Sequence, residues 1–91
     1  MNNLTIKELP ISERPYEKCM LYGPEVLSDA ELLAVILRNG DRNHTSVELA
    51  TMILNGHPVH KGLIGLHYLS IKQLMNFKGI GKVKAIELVC I

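Results

Sequence analysis

Three lysines and two glycines near the C-terminus have the types and the spacing to bind an anion. Gly79 and Gly81 flank Ile80, and lysines occupy the neighbouring positions 78, 82 and 84. Two glycines permit a turn that bulkier residues could not follow, and the aliphatic residue between them can fold inward as a plug. The amides that begin the next helix then face outward and can take a phosphate. The pattern predicts a helix–hairpin–helix whose phosphate-binding residues are Lys78, Gly79, Ile80, Gly81, Lys82 and Lys84.

The distribution of charge supports this interpretation. Residues 1–60 carry five Lys or Arg against eight Asp or Glu, a net charge of −3, whereas residues 61–91 carry five Lys against Glu87, a net charge of +4. Cations at a helix N-terminus cost about 0.3–1 kcal/mol each, and a bound anion would reverse that cost. A contact of this kind reads no base sequence. The alternative is a solvated lysine face that tolerates a small penalty.

The elements that position this hairpin are predicted to be helices. Three helix starts fit the capping box, in which a hydroxyl caps the third helical amide and a Glu or Gln reaches back: Ser28 to Glu31, Thr45 to Glu48 and Ser70 to Gln73. A further helix is expected from Pro15 to Tyr22, before Gly23-Pro24. Gly40 is the expected left-handed end of the helix that starts at Ser28. A short turn is expected around Leu63, Ile64 and Leu66.

Apolar residues at helical spacing predict the face that each helix buries. In chain order these faces are Tyr16, Cys19 and Met20; Ala30, Leu33, Ile36 and Leu37; Leu49, Ala50, Ile53 and Leu54; Ile71, Leu74 and Met75; and Val83, Ile86 and Val89 or Cys90. Short connections between such helices predict an all-α, compact bundle of five or six short helices.

The sequence predicts that the bundle contains two helix–hairpin–helix units in tandem, at residues 28–55 and 70–91. The first is degenerate, because residues 38–44 lack the Gly-aliphatic-Gly core, and its expected role is structural. Residues 1–13 are expected to form an N-terminal arm and residues 14–91 the domain. The chain stops at Ile91, apolar and still in helical phase, so we expect a fragment of a longer protein.

Several classes of function find no support in the residues. No apolar run approaches the roughly 18–20 residues of a membrane helix, and no secretory signal is readable. Cys19 and Cys90 are isolated, as in proteins of a reducing compartment, so a cytoplasmic location is expected. His57 and His60, with His44 or His67, match no closed zinc site. We expect no catalytic residue, no metal ligand and no cofactor in this chain.

Several ordered segments resemble the N-terminal domain of RadC-type bacterial proteins, also classed as the UPF0758 family: Arg14–Lys18, Leu21–Gly23, Leu27–Ala34, Leu37–Gly40 and Lys78–Ala85. The resemblance runs from about Glu13 to the C-terminus and implies a fold in the style of SAM and RuvA C-terminal domains. It also implies a DNA repair context and a following JAB/MPN-type domain, similar to zinc-dependent metallopeptidases. That domain would hold the zinc ligands, none of which lies here. Asp41 departs from the family's more neutral first turn and would repel a phosphate there.

We therefore expect a non-sequence-specific DNA-binding module that positions the C-terminal catalytic domain of the longer protein. No membrane partner is expected, and the sequence does not determine the oligomeric state. The alternative is a protein-interaction or interdomain scaffold whose hairpin only packs helices. A DNA binder should leave Gly79 and Gly81 exposed and ringed by lysine. A scaffold should cover them.

Overall fold

The computed structural model describes residues 14–38 and 45–91, and within these ranges it is all-helical. It has six α-helices, one short 3-10 turn and no strand there, which confirms the all-α prediction. The elements are α1 (Pro15–Tyr22), the 3-10 turn (Pro24–Val26), α2 (Asp29–Leu37), α3 (Ser46–Leu54), α4 (Leu63–Leu66), α5 (Ile71–Met75) and α6 (Lys82–Val89). The predicted arm over residues 1–13, the predicted end at Gly40 and the first turn over residues 39–44 lie outside the described residues.

Three helices begin as their sequences predict. Each capping box forms with both of its hydrogen bonds, at lengths between 2.8 and 3.2 Å: Ser28 with Glu31, Thr45 with Glu48, and Ser70 with Gln73. Each box satisfies two backbone donors that a helix start would otherwise leave without a partner. The starts of α2, α3 and α5 are therefore fixed by residues within one turn of each other.

The chain divides into two units, Met1–Ala50 and Thr51–Ile91, with the boundary inside α3. In the first unit, α1 contacts α2, and Lys18 forms an ion pair with Glu31 across 3.2 Å. The amide of Ser28 donates to the Glu31 carboxylate, and this bond holds the pKa of Glu31 below its ordinary value. Lys18 lowers the pKa further, whereas partial burial opposes both effects.

The predicted buried face of α1 is wrong. Tyr16 is 55% exposed and Met20 is 70% exposed, while Cys19 is half-buried. Apolar residues lie all round this eight-residue helix, so their spacing does not single out one side. The side that contains Pro15 and Lys18 turns inward instead, because Lys18 pairs with α2.

Helix α2 buries Leu33 and Leu37 as predicted, but Ala34 takes the place expected for Ile36. Ala34 is 2% exposed and Ile36 is 43% exposed. The helix ends at Arg38, a non-glycine residue with φ of 67°, whose guanidinium lies 5.7 Å from the centre of the Tyr16 ring. A cation over an aromatic face is favourable and helps to hold this unusual helix end.

The prediction for α3 is confirmed in full. Leu49, Ala50, Ile53 and Leu54 are all buried, with none more than 7% exposed. These four residues form one apolar stripe at i, i+1, i+4 and i+5, and Glu48 and Thr51 lie on the other side with Met52, which is 40% exposed. One unambiguous stripe fixes the buried face, whatever the stripe packs against.

In the second unit, α5 packs against α6, and the predicted inner faces of both helices need correction. Leu74 of α5 is fully buried, but Ile71 and Met75 are 39% and 43% exposed. On α6 the buried residues are Ala85 and Leu88. The residues predicted to be inside are exposed instead: Val83, Ile86, Val89 and Cys90.

The error on α6 has a steric cause. Its apolar residues form two stripes, Val83–Ile86–Val89 and Ala85–Leu88, each at a spacing of three. The helices meet where α6 presents Ala85, which is fully buried, because a methyl side chain lets the two backbones approach closely. The larger stripe faces away from the core of the unit.

Candidate phosphate-binding site

A turn over residues 76–81 connects α5 to α6. The amide of Ile80 donates to the carbonyl oxygen of Phe77 across 3.1 Å, which closes the turn. Gly79 has φ of 88°, a conformation that side-chain-bearing residues adopt only with strain. The Ile80 side chain folds inward and is 4% exposed, as the sequence predicts for a plug.

Gly81 differs from Gly79, and here the sequence-based interpretation is wrong. Gly81 has φ of −87° and ψ of −174°, an extended conformation that any residue adopts. A Cβ atom built on Gly81 would meet no atom within 4 Å. The turn therefore requires glycine at position 79 alone, and the reason for glycine at position 81 must lie outside the conformation of the turn.

The start of α6 has backbone donors without acceptors. Gly81 is its N-cap residue and has no side chain to cap it, in contrast to the starts of α2, α3 and α5. Within residues 14–38 and 45–91, no acceptor is found for the amides of Gly79, Gly81 or Lys82. Both glycines are exposed. These amides can bind water or an anion at the positive end of the α6 dipole.

Lysines occupy three positions next to these amides in the chain. Lys78 and Lys82 are exposed and Lys84 is half-buried, and no described acidic residue forms an ion pair with any of them. The first turn of α6 has no acidic residue, whereas α2 has Asp29 and Glu31 and α3 has Glu48. The structure thus brings the six predicted site residues onto one turn and the helix that follows it.

Lys78, Gly79, Gly81 and Lys82 of the predicted site form part of the exposed surface and line no described pocket. An open cleft of about 270 Å³ lies nearby in the same unit, lined by Gly56, Leu69, Gln73, Asn76 and Phe77. It contains none of the six predicted residues. A surface of this kind suits a long polymer backbone better than a small molecule, which is normally enclosed by its site.

The described residues show no metal centre and no membrane span. Among residues 14–38 and 45–91, no three His, Cys, Asp or Glu side chains are grouped so as to hold a metal ion. No described helix has the length and apolar character needed to cross a membrane. His44, one of the histidines weighed as a zinc ligand, lies outside the described residues.

One histidine has a local role that its sequence context did not reveal. Nδ1 of His57 accepts hydrogen bonds from the amides of Val59 and His60, at 3.1 and 2.9 Å. The Lys61 ammonium group donates to the carbonyl oxygens of Asn55 and His57 at 3.1 and 2.6 Å. Together these contacts fix the loop between α3 and α4. The only hint in the sequence is the His-Pro pair at 57–58, which breaks the helix.

Comparison with known proteins places the chain in a family. A family model described as UPF0758 N-terminal matches residues 6–86. The chain belongs to the UPF0758 family. A UPF0758 protein of Alkaliphilus oremlandii (strain OhILAs) is 43% identical over 86 residues, which cover 94% of this chain and 36% of that protein. A UPF0758 protein of Clostridium botulinum (strain Hall) is 44% identical over 90 residues, covering 99% and 38% respectively.

The family match confirms the resemblance drawn from the sequence motifs. The chain spans less than two fifths of the length of these UPF0758 relatives. No solved structure matches it.

Proposed function

We propose that this UPF0758 N-terminal region binds the phosphate backbone of DNA, without reading sequence, through a helix–hairpin–helix formed by α5, the turn and α6. One observation carries the proposal. Gly81 and Lys82 are exposed and their amides are uncapped, and lysines without ion partners in the described chain occupy positions 78, 82 and 84, whereas three other helix starts are capped by their own side chains.

The energetics favour an anion at this place. Lysines in the first turn of α6 oppose the helix dipole, so the unliganded helix carries an electrostatic penalty there. A phosphate oxygen that accepts hydrogen bonds from the amides would remove the penalty and pair with the ammonium groups. Hydrogen bonds to backbone phosphate carry no sequence information, so the proposed binding is non-specific.

The number of cations sets the expected salt dependence. Two to four neutralised phosphates give a slope of about −2 to −4 in log affinity against log salt concentration. Affinity should therefore fall roughly 15- to 250-fold between 50 and 200 mM salt. Anisotropy of a labelled duplex, measured at several salt concentrations, gives this slope directly.

The lysines provide the decisive test. Replacing Lys82 and Lys84 together with glutamate should abolish duplex binding at low salt, because the anion would then meet two carboxylates. Among single variants, Lys82→Glu should weaken duplex binding at least tenfold. Its matched control is Lys72→Glu, the same charge change at an exposed position on α5, which should change duplex affinity less than threefold.

Circular dichroism should show the same helical content for all variants, and the thermal midpoint of the double variant should be no lower than that of the wild type, since acidic residues suit the first turn of a helix. Unchanged DNA affinity of the folded double variant at low salt would refute the phosphate site.

A second candidate function rests on a different observation. Val83, Ile86 and Val89 form an apolar stripe on α6 and are 73%, 41% and 46% exposed. Such a stripe can contact another protein surface. Here the region would be an interdomain scaffold that packs against the remainder of a longer UPF0758 protein and positions the metal-dependent hydrolase domain implied by the RadC resemblance, where any zinc would be held. A scaffold predicts that the lysine variants leave DNA affinity unchanged.

A further inference from the structure

Three aromatic rings lie together where the α3–α4 loop meets the end of α4. The rings of His60 and Tyr68 are stacked, with centroids 4.0 Å apart and planes inclined by 14°. The ring of His57 lies 5.1 Å from that of His60 and 5.6 Å from that of Tyr68. None of these rings belongs to the phosphate site, and the sequence pattern assigns no role to Tyr68.

The backbone holds the stack in place. The amide of His60 donates to Nδ1 of His57 across 2.9 Å. Gly65 of α4 lies directly against the carbonyl group of His60, so closely that a Cβ atom at position 65 would overlap its oxygen. The main chain of His60 is therefore held by two contacts before any ligand arrives. An ordered main chain beneath the ring lowers the ordering cost that a stacking ligand has to meet.

Tyr68 contributes little to the core. It is 55% exposed, whereas the neighbouring Leu66 and Leu69 are 2% and 7% exposed and fill the interior. Within the described residues the Tyr68 hydroxyl has no hydrogen-bond partner in the protein. The Tyr68 ring thus lies nearly parallel to an imidazole while more than half of the residue surface remains open to solvent.

We propose that the open side of Tyr68 is a stacking platform for an unpaired nucleobase. The proposal rests on the proposed function, because the same strand would place its phosphates on the α5–α6 turn. Residues 51–91 carry five Lys against Glu87 alone, so this unit attracts a polyanion. Every base has a π-face, and stacking on an aromatic side chain needs no particular sequence.

The distance along α5 between Tyr68 and the α5–α6 turn is compatible with one DNA strand that contacts both. Tyr68 lies three residues before the first residue of α5, and the turn follows its last residue, so the helical rise of α5 between them is about 7.5 Å. That length corresponds to a few nucleotides, since bases in a stacked strand are about 3.4 Å apart. In an intact duplex each internal base is covered on both faces by its neighbours. The inferred ligand class is therefore DNA with single-stranded tails, gaps or frayed ends.

The test separates base stacking from phosphate binding. Anisotropy titrations would compare a blunt duplex, a single strand of equal length, and the same strand with abasic sites, which keep the phosphates. Tyr68→Leu should weaken binding of the base-bearing strand about five- to one-hundred-fold and leave blunt-duplex affinity within twofold. Tyr68→Phe should restore single-strand binding, and abasic strands should bind the wild type and Tyr68→Leu equally.

Tyr22→Leu is the matched control, since Tyr22 is similarly exposed at 61% and lies in the other unit. It should bind all three DNA forms as the wild type does. If Tyr68→Leu binds the base-bearing strand as the wild type does while Lys82→Glu weakens every form, the platform is refuted and the phosphate site stands. If Lys82→Glu weakens none, or no DNA form binds at all, the phosphate site and the platform resting on it both fail.

Discussion

Gly81→Ala should weaken DNA binding while leaving stability almost unchanged, and Gly79→Ala should lower stability while largely keeping DNA binding in the folded protein. The two glycines are two positions apart in one turn but have different backbones. Gly79 has φ of 88°, whereas Gly81 is extended at φ of −87° and a Cβ atom there would meet nothing within 4 Å. The proposed phosphate approaches the amide of Gly81 from this open side, so a methyl group would stand in its path.

The expected free energies follow from these geometries. At position 79 an alanine must adopt a left-handed conformation, which costs about 1–2 kcal/mol of folding stability. At position 81 an alanine is a somewhat poorer N-cap than glycine. It also reduces the entropy of the unfolded chain, a gain of about 0.4–1 kcal/mol. The two effects oppose each other, so the stability of Gly81→Ala should stay within about 0.5 kcal/mol of the wild type.

For DNA binding, the larger loss should come from Gly81→Ala and the smaller loss from Gly79→Ala. A hydrogen bond from an amide to a charged group contributes about 1.5–3 kcal/mol. Its loss in Gly81→Ala should weaken duplex binding roughly ten- to one-hundred-fold. Gly79→Ala should bind DNA less well only to the extent that the turn is distorted or unfolded.

The assay needs two measurements on each protein: urea unfolding followed by circular dichroism, and anisotropy of a labelled duplex at low salt. Gly62→Ala is the matched control, because Gly62 has φ of 79° with open space for a Cβ atom and lies outside the turn. It should lose stability like Gly79→Ala but keep duplex affinity in its folded form. A stable Gly81→Ala protein with wild-type affinity would show that no phosphate approaches the Gly81 amide.

Two further predictions concern stability. Glu31→Gln keeps a capping side chain but loses the ion pair with Lys18, so it should cost up to about 1 kcal/mol at pH 7. Because folding lowers the pKa of Glu31 from 4.5, its contribution is present above that pH and is lost as the pH falls further. The difference in urea midpoint between variant and wild type should shrink towards pH 3, and a difference that persists there would contradict this assignment. Gly65→Ala should cost about 1–3 kcal/mol by thermal unfolding, because its Cβ atom would overlap the carbonyl oxygen of His60; an unchanged midpoint would disprove that contact.

Features determined by neighbouring residues were predictable from the sequence. The capping boxes at Ser28, Thr45 and Ser70 form as expected because donor and acceptor lie within one helical turn. The buried face of α3 was predictable because that helix has one apolar stripe. The bounds of α1 follow from proline at its first position and Gly23 just after its end.

Features decided by tertiary contacts were not predictable. Helices α1 and α6 have apolar residues on more than one side, and only the partner helix selects which side is buried. On α6 the buried stripe is the one that contains Ala85, whose methyl side chain permits a closer approach than Val83 or Ile86 could. The ring stack at Tyr68 depends on residues 57 and 60, on the far side of α4 in the chain, and no periodic pattern connects them.

The cost of the lysines at the proposed phosphate site can be compared with the burial beside them. Two lysines in the first turn of α6 cost together about 0.6–2 kcal/mol. Burial of Ile80 and Leu88, at 4% and 2% exposure, contributes about 1.5–3 kcal/mol for each side chain. Burial of these two side chains offsets the electrostatic penalty, which favours a proposed site that is formed before an anion binds. A preformed site pays little ordering entropy on binding, so bound DNA should raise the thermal midpoint only as far as its own affinity and concentration dictate.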